Sequence, residues 1–147
     1  KQISPTLALI NIDRFRDINN SYGLDMGDKV LKDFAKELNG FQGTNLNIYR
    51  LYGDVFAMLS FGNFTQNELV KTSKIIIKHF DKKIFNIDEI DFNITCTIGM
   101  ASNEDKIFNS AEMALLYAKK NQENFILFNK EMLFYKELQE NIQVGVI

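Results

Sequence analysis

Chemistry-bearing side chains collect in three short segments. They are Asn11-Ile12-Asp13-Arg14-Phe15-Arg16-Asp17-Ile18-Asn19, Gly23-Leu24-Asp25-Met26-Gly27-Asp28 and Tyr52-Gly53-Asp54-Val55-Phe56. Each falls at a predicted strand end or in the turn beyond it, where polar groups serve sites most readily. Each also has a structural reading. Asp54 in a tight turn is a turn former. Asn19 and Asp28 have the types of helix caps. Arg14, Arg16 and Asp17 can make a solvated face, and Lys119 beside Lys120 complements a helix C-terminus. His79 stands alone in a helix and takes no role. Cys96 alternates with Ile94 and Ile98 and belongs to a core. The residue types alone name places, not a reaction.

The elements that must position these groups follow from periodicity. Thr6–Ile12 is a compact apolar run with a polar end, a buried strand. Residues 14–21 form a short helix or turn. Residues 28–38 place Val30, Leu31, Phe34, Ala35 and Leu38 on one helical face. Residues 47–51 and 55–61 make a hairpin about the Tyr52-Gly53-Asp54 turn. Thr65 and Glu68 form a capping box opening a helix through Phe80. Residues 91–100 alternate as a half-buried strand. Residues 107–120 are helical, residues 125–128 form a last strand, and Phe134, Leu138 and Ile142 suggest a final helix. The order β-α-α-β-β-α-β-α-β-α with a central hairpin predicts an α+β sandwich: a mostly antiparallel sheet of about five strands wrapped by helices.

Composition sets the outer bounds. The chain has 147 residues, 46% hydrophobic and 24% charged, which is one folded domain and neither a disordered chain nor a rod. A net charge of −2 gives no reason to expect a nucleic-acid binder. One cysteine excludes an internal disulfide and a cysteine-based zinc site. The apolar runs are too short to span a bilayer.

Taken together, the motifs resemble those of GGDEF domains, the family of bacterial diguanylate cyclases. Residues 11–20 are similar to D-x-D-x-F-K-x-I-N-D, and Gly23 to Asp28 to G-H-x-x-G-D. The signature hairpin appears as Tyr52-Gly53-Asp54-Val55-Phe56. Thr97-Ile98-Gly99-Met100-Ala101 resembles S-I-G-I-A, and residues 111–119 resemble A-D-x-A-L-Y-x-A-K. The resemblance implies a nucleotidyl-cyclase-like palm. It also implies that active members join two GTP molecules into cyclic di-GMP, each subunit holding one GTP and two Mg²⁺.

Carried over by resemblance, Asn19 and Asp28 match the guanine-reading pair, Arg16 a basic position near the triphosphate, and Lys119 a phosphate-contacting lysine. Asp54 matches the signature acid that binds metal and helps activate the 3′-hydroxyl. The Ile12 backbone matches a further metal contact. The departures matter as much. Asn11 stands where the family has its first metal-binding Asp, and a hard Mg²⁺ ion favours anionic oxygen. Tyr52 replaces the first signature Gly, Val55 the second acid, Leu24 the usual His, and Glu123 a phosphate-binding Arg. Gly43 and Leu46 stand where a product-binding R-x-x-D pair is expected.

The expectation is a degenerate GGDEF domain over residues 1–129 that lacks the family's opening segment, whose place would be before Lys1, either cut away or never present. Residues 130–147 would be a helix or linker toward a following domain such as EAL. The expected role is regulatory or GTP-sensing, in the cytoplasm or on the cytoplasmic side of a membrane-anchored protein. Mg²⁺ would enter only with GTP. The partners would be guanine nucleotide, an adjacent EAL or sensor domain, or a second copy. A residual cyclase and a purely structural interaction module are the alternatives.

Overall fold

A computed structural model describes residues 5–60 and 65–133. The predicted last helix, at Phe134, Leu138 and Ile142, lies outside the described residues. The elements are β1 (Thr6–Ile12), α1 (Phe15–Tyr22), α2 (Leu24–Asn39), β2 (Leu46–Tyr52), β3 (Val55–Ser60), α3 (Gln66–Lys82), β4 (Phe85–Ile87), β5 (Ile90–Phe92), β6 (Cys96–Ser102), α4 (Ile107–Lys120) and β7 (Phe125–Leu127). The main sheet runs β2-β3-β1-β6-β7. It is antiparallel except for the β6–β7 pair.

The central strand β1 is buried along its whole length. Alternation then sends its side chains to two different cores. Ala8, Ile10 and Ile12 join the apolar layer under α2 and α3, where Phe34 stacks on Phe80 with ring centroids 4.2 Å apart. Leu7 and Leu9 join Ala57, Ala101, Ala111, Ala114 and Leu115 beneath α4. The alanine face of α4 lets its backbone approach the sheet. A Cβ added to Gly99 would sit 2.2 Å from the Leu115 nitrogen, so β6 needs glycine there.

Thr65 and Glu68 form the expected capping box at α3. Cys96 is buried in the first core, and burial pushes its thiol well up from the ordinary range. Three expectations need correction. The strand predicted over 91–100 is two strands, β5 and β6. Asn93 leaves the ladder between them and donates its amide to the carbonyls of Phe80, Asp81 and Lys83 at the end of α3. The small β4–β5 hairpin was not expected. Its turn, Asp88-Glu89, has both residues left-handed, and Asp88 is held by Lys29 of α2 at 2.5 Å. Helix α2 also begins at Leu24, so Asp28 lies inside it. Asn19 lies inside α1, and neither residue is a cap.

Candidate functional site

The end of β1 meets the β2–β3 turn through one carbonyl. The Ile12 N–H donates to the Asp54 carbonyl oxygen at 3.1 Å, and Asn11 Nδ2 donates to the same oxygen at 3.2 Å. Arg50 braces the turn by donating to the Gly53 carbonyl at 3.2 Å. Gly53 adopts φ 50°, a conformation that favours glycine at this tip. Asn11 is 4% exposed, and its Oδ1 is buried with no hydrogen-bond partner among the described residues. An unsatisfied buried acceptor is costly, and among the described residues only this oxygen and the Ser73 hydroxyl are left in that state.

Asp13 does not share that role. Its carboxylate accepts hydrogen bonds from the Thr95 hydroxyl at 2.7 Å and the Thr97 hydroxyl at 2.6 Å, and its N–H donates to the Thr95 carbonyl. The carboxylate therefore fastens the end of β1 to β6. This clamp was not read from the sequence. The two threonines alternate with the buried Phe92, Ile94 and Cys96, which was the available signal.

Past Asp13 the chain turns through Arg14, a left-handed residue at φ 58°, into α1. The N-terminus of α1 carries no side-chain cap; the Asp17 N–H donates to the Arg14 carbonyl at 3.0 Å, which leaves the N–H groups of Phe15 and Arg16 ahead of it at the helix start. Arg16 is exposed on this first turn. One turn further on, Asn19 lies on the α1–α2 seam. A Cβ placed on Gly27 would fall 1.8 Å from Asn19 Oδ1, so the carboxamide rests against bare glycine backbone. Asp28, the next residue, is exposed at that seam. The structure thus groups Asn11, Ile12 and Asp54 at the strand junction, with Arg16, Asn19 and Asp28 on the helices beyond it.

Lys119 is exposed on α4, which covers the opposite side of the sheet from α1 and α2. Tyr52 turns toward that same helix and does not enter the mouth of β1. Its hydroxyl donates to Glu112 Oε2 at 3.3 Å, and burial, then the Glu112 charge, raises its pKa. Glu123 is exposed just after α4, its N–H bound to the Ala118 carbonyl. A cavity of about 430 Å³ lies between α1 and residues 92–95, lined by Asp13, Ile18, Tyr22, Phe92 and Thr95. None of Asn11, Asn19, Asp28 or Asp54 borders it.

The donor set at the junction tests whether magnesium fits. Asn11 Oδ1 offers one neutral oxygen and Asp54 one carboxylate. Among the described residues no cluster of three or more His, Cys, Asp or Glu side chains could hold a metal ion. Such a set is poor in the anionic oxygens that a pair of hard divalent ions favours.

Residues 1–125 match the family model described as "Diguanylate cyclase, GGDEF domain". A membrane protein of Staphylococcus epidermidis, SERP0413, is 28% identical over 137 residues, which is 88% of this chain and 38% of that protein. The chain therefore spans little more than a third of that relative's length. The GGDEF domain of PA1120 (YfiN or TpbB) from Pseudomonas aeruginosa is 25% identical with a TM-score of 0.79, covering 86% of this chain and 83% of that one. The active GGEEF domain of a Vibrio cholerae diguanylate cyclase shares the fold at 23% identity and a TM-score of 0.75, covering 86% and 84%. No described helix is long and apolar enough to cross a membrane. With the palm-like sheet, the signature hairpin and the family match in agreement, this chain belongs to the GGDEF domain family of diguanylate cyclases.

Proposed function

We propose that this GGDEF domain does not synthesise cyclic di-GMP and works as a guanine-nucleotide-binding regulatory module of a larger, membrane-associated protein. Family membership implicates cyclic di-GMP signalling. The similarity to staphylococcal membrane proteins more than twice the length of the matched region supports the larger context.

The observation that carries the reading is Asn11. Joining two GTP molecules needs a 3′-hydroxyl made nucleophilic and a triphosphate neutralised, both tasks of metal ions. With an amide at the first ligand position, one carboxylate at the second and Val55 at the third, charge compensation at the junction falls to a single anion. The groups proposed to read guanine are intact. Asn19 and Asp28 supply an amide and a carboxylate, which together can accept from and donate to a purine edge. The uncapped N-terminus of α1 with Arg16 offers donors to a phosphate.

Calorimetric titration with GTP and ATP, with and without Mg²⁺, tests this. GTP binds, ATP does not, and Mg²⁺ changes the affinity little. Asn19→Ala and Asp28→Ala each weaken GTP binding. Cyclic di-GMP formed from GTP at catalytic turnover would overturn the assignment. Absence of GTP binding would leave the domain an interaction module.

A further inference from the structure

The outer face of α3 carries Lys71, Lys74, Lys78 and Lys82, all exposed, three or four residues apart. At 1.5 Å per residue the stripe runs about 16 Å along the helix. Ile75 lies among these lysines and is 58% exposed, while Leu69, Ile76, Ile77 and Phe80 face the sheet. The neighbouring charges do little to balance the stripe. Glu68 is occupied by the capping box, and His79 and Lys83 turn to Glu37 of α2. Asp81 is exposed at the edge of the stripe. Lys74 stands 5.7 Å from the centroid of the Phe125 ring. Among the described residues no ion pair joins Lys71, Lys78 or Lys82 to an acid.

Like charges one turn apart destabilise a helix, and only the Lys74 contact with Phe125 and the place of Lys82 in the last turn of α3 offset this. They also run against the net charge of −2. We propose that this face is an electrostatic contact for an anionic phospholipid surface, with Ile75 meeting the headgroup boundary. The proposal rests on the membrane-associated reading above. A straight row of flexible ammonium groups around an apolar side chain suits a fluid anionic plane. Among the described residues the face has no arginine and no exposed aromatic ring, the groups that serve specific phosphate and base recognition.

Co-sedimentation of the 147-residue chain with vesicles tests the contact. At roughly millimolar lipid the chain is retained on phosphatidylglycerol vesicles, not on phosphatidylcholine vesicles, and high salt releases it. Each lysine at an anionic surface contributes about fivefold, so Lys71→Glu/Lys78→Glu weakens retention by more than about 25-fold. Lys32→Glu/Lys130→Glu, with the same change in net charge, weakens it far less. Thermal melts confirm that both double variants fold. Equal retention on phosphatidylcholine, no retention on phosphatidylglycerol, or equal losses in the two double variants overturns the proposal. Tighter capture of a duplex oligonucleotide assigns the stripe to nucleic acid and overturns it too. Retention is measured without nucleotide, and GTP calorimetry on the same variants is unchanged, so failure of either reading is seen separately.

Discussion

In Asn11→Asp the nitrogen that donates to the Asp54 carbonyl, 3.2 Å away, becomes an acceptor facing an acceptor. The new carboxylate sits at a position 4% exposed. Losing the hydrogen bond costs about 1 kcal/mol. Desolvating an unpaired charge costs a further few kcal/mol, limited by the upward pKa shift that lets the group protonate. The sum is about 3 kcal/mol at neutral pH, or a fall in melting temperature of roughly 10 °C for a domain of this size. Because the folded pKa of the introduced Asp is raised, the deficit shrinks as pH falls toward 5, where protonation removes the charge. Adding Mn²⁺ with GTP should do what acid does, by pairing the charge. At 100 times its dissociation constant a ligand contributes about 2.7 kcal/mol. Scanning calorimetry at two pH values, with and without Mn²⁺ and GTP, reads all of this. A variant as stable as the parent at neutral pH would show that the β1 mouth is not a desolvated ligand position. A destabilised variant that Mn²⁺ and GTP fail to restore would show that the missing charge is not what weakens metal binding.

Gly27→Ala drives a methyl group into the Asn19 carboxamide, which must leave the seam. The clash meets the end of a side chain, so circular dichroism stays unchanged while GTP affinity falls about tenfold, the worth of one lost hydrogen bond to a charged or polar edge. Gly99→Ala meets the α4 backbone at 2.2 Å and 2.5 Å, which cannot step aside, and destabilises by about 3 kcal/mol in urea denaturation. Glu37 is held below the ordinary carboxylate range, chiefly by its hydrogen bond with His79 at 2.5 Å. A depressed folded pKa adds stability above the unfolded value and loses it as pH falls through the folded one. Stability should therefore drop below about pH 4.5, and Glu37→Gln should flatten that acid limb in a pH series of urea melts.

The sheet, the β2–β3 hairpin, the capping box and the two-sided burial of β1 were legible because each leaves a period or a turn signal in consecutive residues. The β4–β5 hairpin was not. Its left-handed turn uses Asp88 and Glu89 in place of the asparagine and glycine that advertise such turns, and part of its support comes from Lys29, distant in sequence. The 91–100 run read as one strand because alternation continues across Asn93, although that residue's amide serves the end of α3. At the site, the residues could be named but their partners could not. Asp13 stood in the sequence only as one polar residue of the first segment and is a clamp between strands. Tyr52 read only as a replacement of the first signature Gly, and its contact with Glu112 turns it away from the β1 mouth. The lysine stripe on α3 was hidden by a net charge that averages over the whole surface.

On the proposed reading, these contacts let one end of the site be lost while the other survives. The groups proposed to read guanine depend on α1 lying against α2, where Gly27 makes room for Asn19. The proposed metal end depends on β1 meeting the hairpin, where the Ile12 N–H and the Asn11 amide share the Asp54 carbonyl. Asp and Asn have nearly the same shape, so exchanging one for the other at residue 11 leaves the strand register untouched. The amide even gains a hydrogen bond that a carboxylate cannot make. Folding therefore favours asparagine at this position in the absence of metal, whereas two-metal chemistry favours aspartate. A chain relieved of synthesis would be pushed toward the amide by stability alone, while the α1–α2 seam, whose packing serves both fold and ligand, would stay as it is.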